Sequence, residues 1–193
     1  MVLSILIPTI YRHRALFGEL CISLVNQWHP HVEILIDDRE RPTTGAKRND
    51  LIQRAQGDYI VFIDSDDAIA ADYVVQILAA ANSGYVHQTK TGVIDTRPDA
   101  IVFDGVYTKN GRNPQKFKLS KDYEYIERDG IFYRYPNHIV PIRRSIAQQF
   151  KFPDLIYAED YPWATAIHES GLIKTEVKIE KDLYFYNYQT LKK

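Results

Sequence analysis

The stretch Tyr59-Ile60-Val61-Phe62-Ile63-Asp64-Ser65-Asp66-Asp67 sets five hydrophobic residues directly before three carboxylates packed into four positions. A short continuous apolar run of this kind reads as a strand buried on both faces, here ending in acid. Two similar runs lie upstream: Val2 to Ile7, closed by Pro8, and Val32 to Ile36, closed by Asp37-Asp38. Between those two, Leu16, Leu20, Cys21, Leu24, Val25 and Trp28 recur at helical spacing as far as His29-Pro30. A polar run from Arg39 to Thr44 leads into a second helix carrying Leu51, Ile52 and Ala55, which Gly57 stops. Val74, Ile77, Leu78 and Ala81 mark a third helix after the acidic motif. Strands and helices alternating in such short units predict a parallel sheet, and right-handed crossovers put its strand C-termini on one edge. Ligands of open α/β sheets bind at that edge.

After about residue 85 the texture becomes aromatic and alternating, with Asn110-Gly111 and Asp129-Gly130 as hairpin signals. Antiparallel strands are predicted near Ala100 to Tyr107, Lys116 to Leu119, Tyr123 to Glu127 and Ile131 to Tyr135, flanking the sheet rather than extending its alternation. A helix is expected from about Tyr161 to Gly171, followed by two strands, Thr175 to Ile179 and Leu183 to Tyr188.

The 193 residues fit one domain, and 45% hydrophobic with 25% charged residues is an ordinary globular mix. With 24 basic against 25 acidic residues the net charge is −1, so no global field would hold a polyanion. The single cysteine, Cys21, cannot form an internal disulfide and points to a reducing compartment. No stretch approaches the roughly 18 apolar residues of a membrane-spanning helix, and the N-terminus lacks the features of a signal peptide. The reading is a soluble, cytoplasmic protein without a transmembrane segment.

Asp64, Asp66 and Asp67 repel one another unless a positive group sits between them. The plain alternative is a solvated turn with Asp66 or Asp67 capping the next helix. The sharper reading is a divalent cation site that also binds substrate phosphates. Basic residues are expected at the same edge: Arg12 and Arg14 after the first strand, Arg39 and Arg41 after the second, and Lys47-Arg48 opening a helix whose N–H groups point at anions. Together they suit a metal-bridged diphosphate. No GxxxxGK[ST] loop and no GxGxxG follows any strand.

These features resemble the inverting, nucleotide-sugar-dependent family 2 glycosyltransferases of GT-A fold. The resemblance is carried by Ser4-Ile5-Leu6-Ile7-Pro8-Thr9, Ile36-Asp37-Asp38, Gly45-Ala46-Lys47-Arg48-Asn49, Ala55-Gln56-Gly57-Asp58-Tyr59-Ile60 and Phe62 to Asp67, in that order. It implies a single Rossmann-like GT-A domain over 1–193 with a mostly parallel central sheet and an antiparallel, aromatic-rich C-terminal portion. Residues 1–99 would bind the nucleotide sugar and 100–193 the acceptor. It further implies that Pro8 and Thr9 line the nucleotide pocket and that Asp37 or Asp38 binds the base edge. Lys47 or Arg48 would lie near the nucleotide or diphosphate, Asp64 would contact ribose or metal, Asp66 would coordinate Mn²⁺ or Mg²⁺, and Asp67 would orient the donor sugar. Arg12 joins the substrate-binding set from the edge loop. Asp37-Asp38 runs on as Arg39-Glu40-Arg41 where many members have a small-residue turn.

Ala158-Glu159-Asp160-Tyr161-Pro162-Trp163 looks like the family's acidic pair beside the acceptor. The resemblance makes Asp160 the catalytic base, with Glu159 next to it and Trp163 either packing or stacking on a sugar. The plain alternative has Asp160 capping the helix, with Pro162 in its first turn. His138 and His168 read as ordinary core or surface residues, the third metal ligand is unassigned, and Trp28 reads as packing. The implied reaction moves a sugar from a nucleotide diphosphate, most commonly UDP in the family, to an acceptor hydroxyl with inversion. A glycan acceptor comes first; a hydroxylated DNA base is the alternative, with Arg112, Lys116, Lys118 and Lys121 as a candidate local patch. Competing readings are a metal-dependent nucleotidyltransferase and a non-catalytic nucleotide- or carbohydrate-binding module.

Overall fold

The computed structural model describes residues 1–40 and 42–188. Strand β1 (Leu3–Pro8) is wholly buried and pairs in parallel with β2 (Val32–Asp37) and β3 (Tyr59–Phe62). The registers Pro8↔Asp37 and Leu6↔Phe62 bring the three carboxyl ends to one edge. Between them run a 3-10 turn at Tyr11–His13 continuing into α1 (Arg14–Asn26), and α2 (Thr44–Arg54), which packs on β1 and β2. A two-residue strand β4 (Ala68–Ile69) and α3 (Tyr73–Ala81) follow the acidic motif. The α/β reading of the first half therefore holds.

Two details of that half differ. β2 is an edge strand, with Ile34 and Ile36 38% and 40% exposed, because among the described residues no strand pairs beyond it. Trp28 lies beyond the end of α1 and is 73% exposed, and Val25 is 71% exposed. Only Leu20 and Leu24 of that helix are buried, with Phe17 half-buried against the core, so the periodicity of α1 overstates its buried stripe.

A hairpin of β5 (Val86–Thr89) and β6 (Gly92–Asp95) stands apart as a two-stranded sheet. Almost all its residues are exposed, so it has no apolar alternation to betray it. Next come β7 (Ala100–Lys109) and β8 (Arg112–Leu119), joined at Asn110 and Gly111, then β9 (Ile126–Arg128) and β10 (Ile131–Arg134), joined at Asp129 and Gly130. All four turn residues have φ between 52° and 71°, the left-handed region that such two-residue turns demand.

These strands extend the main sheet rather than flank it, in the order β2-β1-β3-β11 (Ile142–Arg143)-β7-β8-β10-β9. The bridge is β11 (Ile142–Arg143), whose Ile142 pairs with both Ile60 and Ala100. Two residues carry no periodic signal, which is why the junction is invisible in the sequence. α4 (Arg144–Ala147) and α5 (Asp160–Ser170) follow. The two predicted final strands are one, β12 (Glu176–Tyr188), parallel to β7 and irregular in register between Ile179 and Tyr184.

The loop at 153–156 lies directly on the start of α2. Gly45 donates its N–H to Leu155 O at 3.0 Å, and a Cβ there would stand 1.9 Å from Pro153 O. A Cβ added at Gly18, inside α1, would meet nothing within 4 Å. Gly45→Ala is expected to destabilise the fold by about 2 kcal/mol or more through this backbone collision, whereas Gly18→Ala should stabilise it by about 0.5–1 kcal/mol. Urea unfolding of the two variants measures both signs; equal effects would mean that the loop is not seated on α2.

Candidate active site

Helix α2 turns Lys47 and Arg48 inward at the sheet edge. Thr43 caps it, its Oγ1 accepting the Ala46 N–H at 3.1 Å, and Leu155 O takes the Gly45 N–H. The helix N-terminus expected to meet an anion is thus closed by the protein itself. Lys47 is 2% exposed and donates from Nζ to Thr9 O at 2.6 Å, and burial pushes its ammonium below the ordinary pKa.

Arg48 is buried between two carboxylates. Its Nε donates to Glu159 Oε1 at 2.9 Å and its terminal nitrogen to Asp64 Oδ1 at 2.8 Å. The guanidinium carbon lies 4.9 Å from the Phe62 ring centre and 5.6 Å from that of Phe152. Phe152 in turn stacks on Trp163 at 4.5 Å, and Trp163 is 2% exposed. Trp163 therefore packs the core beneath the site and has no open face for a sugar. Glu159 is likewise buried, holding Arg48 rather than facing a ligand.

The second Asp64 oxygen meets His138 Nε2 at 3.3 Å, and His138 Nδ1 lies 3.3 Å from Asp160 Oδ2, an ion-pair distance without hydrogen-bond geometry. His138 is seated there because its carbonyl accepts the Phe62 N–H at 2.9 Å at the end of β3. Burial and the Arg48 charge push the imidazole pKa down, but the carboxylates of Asp64 and Asp160 more than reverse this and carry it up to about 9. Burial alone would raise Asp160; contact with charged His138 and the nearby Arg48 instead bring it to about 2. Asp64 is likewise pushed up by burial and held well below the carboxylate range by Arg48 and His138.

Asp66 and Asp67 diverge. Asp66 is partly exposed, with His13 Nε2 at 3.7 Å, and burial raises its pKa. Asp67 is 5% exposed and accepts the Tyr184 hydroxyl at 2.7 Å and the Asn187 N–H at 2.9 Å. It latches β12 to the motif, with no carboxylate oxygen turned to an open donor site. Burial and Asp64 push its pKa well up. Tyr184 closes the latch by accepting the Asp64 N–H at 3.1 Å.

At the other strand ends, Pro8 and Thr9 are buried beside Asp37, and Thr9 Oγ1 is buried with no partner among the described residues. Asp37 is 2% exposed and gripped by Arg39, with Nε at 2.9 Å; Asp38 is exposed. Arg12 is exposed and donates to the Tyr157 hydroxyl at 3.2 Å. Arg41 lies outside the described residues. The edge thus joins Asp64 and Asp160 through His138, with Asp66 beside His13, while Lys47, Arg48, Asp67, Glu159 and Trp163 support it from within.

His138 and His13 are the contributors that sequence reading missed. A lone histidine carries no spacing signal. The donor set also bears on a cation. Both Asp64 oxygens are engaged by positive side chains, and no group of three or more His, Cys, Asp or Glu suited to a metal occurs among the described residues. The arrangement fits an ion held by Asp66 with substrate phosphates and water, and does not fit one shared with Asp64.

The topology is that of the GT-A class. The fold matches S. aureus TarS 1–349 solved with UDP-GlcNAc, at TM-score 0.67 and 15% identity over 100% of this chain and 60% of that one. It also matches the same protein solved with UDP, at TM-score 0.67 and 16% identity over 97% of this chain and 60% of that one. The profile of glycosyl transferase family 2 matches residues 18–150, and the chain belongs to that family. A curated relative, the poly(ribitol-phosphate) beta-glucosyltransferase of Bacillus spizizenii, is 31% identical over 105 residues, covering 39% of this chain and 16% of the relative. The chain therefore spans less than two thirds of the length of each of these relatives. Among the described residues no helix is long and apolar enough to cross a membrane.

Because the folded His138 pKa is raised from 6.5 to about 9, its contribution is fully present below 6.5 and lost as pH rises through about 9. Urea unfolding should show stability declining across that interval, and His138→Gln should flatten the decline while lowering stability at the acid end. A wild-type stability independent of pH there would mean an uncharged imidazole.

Proposed function

We propose that the chain transfers a sugar from a nucleoside diphosphate, with UDP the favoured carrier, to a hydroxyl of a glycan, inverting the anomeric centre. The observation that carries this is the Asp64–His138–Asp160 chain, which joins the acidic motif at the end of β3 to the first residue of α5. Fold likeness to TarS structures holding UDP and UDP-GlcNAc supports a nucleotide-sugar donor.

Transfer makes the anomeric carbon electron-poor while the departing diphosphate gains charge, so the site must stabilise charge on one side and remove a proton on the other. Asp66 would hold Mn²⁺ or Mg²⁺, which when bound supplies charge neutralisation for the diphosphate. Thr9 Oγ1, buried without a partner, offers a hydrogen bond at the nucleoside end. Asp38, exposed at the end of β2, is better placed for the base than Asp37, whose carboxylate Arg39 already occupies. Charged His138 keeps Asp160 ionised at neutral pH and fixes its direction. Asp160 then accepts the proton from the attacking hydroxyl at one of its carboxylate oxygens. Attack from the face opposite the diphosphate inverts the centre.

Asp160→Asn should cut turnover roughly 10²–10⁴-fold while Mn²⁺-dependent UDP binding persists in calorimetry. Asp66→Ala should instead weaken UDP binding in the presence of Mn²⁺. Turnover surviving in the first variant would remove Asp160 from the chemistry; pyrophosphate release in place of UDP would point to nucleotidyl transfer.

A further inference from the structure

An aromatic path leaves the site at Asp160 and returns to it at the acidic motif. Tyr161, next in sequence to Asp160, meets Tyr125 edge-on at 5.3 Å. Arg134 lies over Tyr125 at 5.0 Å and over Phe132 at 5.3 Å. Phe132 meets Tyr107 at 5.7 Å, and Tyr107 meets Tyr186 at 5.5 Å. Tyr186 closes the path: its chain neighbour Asn187 donates its N–H to Asp67 Oδ1 at 2.9 Å, and Tyr184, two residues before it on the same face of β12, donates its hydroxyl to Asp67 Oδ2 at 2.7 Å.

The sheet explains why these side chains share a face. Partners in register point the same way, and Phe132↔Phe117, Gly105↔Phe117, Tyr184↔Gly105 and Tyr186↔Tyr107 put the path on the side from which Tyr184 reaches Asp67. Lys118 pairs in register with Tyr133, on the opposite face, and Lys116, Lys121 and Lys178 are each ion-paired to an aspartate.

Arg134 differs from these cations. Among the described residues no carboxylate lies within ion-pair distance of it, and its side chain donates no hydrogen bond, although the Tyr125 and Phe132 rings lie against it. A guanidinium stacked on rings is held in one orientation and keeps its in-plane N–H groups for two oxygens of an oxyanion. Aromatic faces suit the C–H surfaces of sugars and polyols, and one fixed cation among them suits one negative charge per bound repeat.

We propose that this path is the acceptor cradle and that Arg134 binds an oxyanion, phosphate or carboxylate, carried by the acceptor saccharide or polyol near its reacting hydroxyl. This deepens the glycan-acceptor reading above and rests on it. Duplex DNA fits less well, because it calls for many phosphate contacts and Lys116, Lys121 and Lys178 are already paired.

Calorimetry on the protein without donor, using length-matched oligomers of glycerol phosphate, galacturonate and uncharged glucose, tests this directly. Wild type should bind one anionic oligomer about tenfold more tightly than the uncharged one. The winner identifies phosphate or carboxylate. Arg134→Gln should erase the preference and Arg134→Lys should keep part of it, which a merely unfolded variant would not do. A wild type without preference, a preference surviving in Arg134→Gln, or tighter binding of a DNA duplex than of either oligomer would overturn the proposal. Hydrolysis of UDP-sugars by wild type is scored separately. Hydrolysis with no charge preference sinks the cradle and spares the transferase reading, and a charge preference with no hydrolysis does the reverse.

Discussion

Arg48, buried between Asp64 and Glu159, is the contact on which the site depends. A guanidinium out of water is costly unless its charge and its donors are both met, and here two carboxylates and two aromatic faces meet them. The three elements that supply those groups, α2, the end of β3 and the start of α5, are thereby pinned to one another. Removing the cation would leave two carboxylates facing each other, one of them fully buried. The pair is thus better understood as a device for position than as a source of net stability.

That pinning has a consequence for the chemistry. With one Asp64 oxygen on Arg48, the other is presented to His138, and His138 is thereby presented to Asp160. Charge alternates along the row, so each member stabilises the ionised form of its neighbours. Among the described residues Asp66 alone of the motif carboxylates accepts no hydrogen bond from another residue; it is flanked by His13 and Ser65, whose hydroxyl meets His13 Nδ1 at 3.0 Å. A motif that looks like three equivalent acids is therefore divided into an anchor, an open carboxylate and a latch.

Much of the fold was legible because burial leaves periodic marks. The runs ending at Pro8 and Asp64 name fully buried strands, and Asn110-Gly111 and Asp129-Gly130 mark turns that need positive φ. What failed to show was decided by neighbours. Ile34 and Ile36 look like core residues, but their strand is the last in its sheet. Trp28 falls in step with a helix that has already ended. Ile142 joins the two halves of the sheet through a strand too short to have a period.

The sequence by itself determined the parallel first half, the edge where the strands end, and the residue types gathered there, because local pattern and short crossovers permit few alternatives. Only the tertiary structure decided which charges face inward. Lys47, Arg48, Asp67 and Glu159 read as ligand-binding groups, yet each is buried and partnered within the protein. Conversely His138, which carries no motif, sits at the centre. The direction a side chain takes depends on what packs against its element from far along the chain, and no local spacing encodes that.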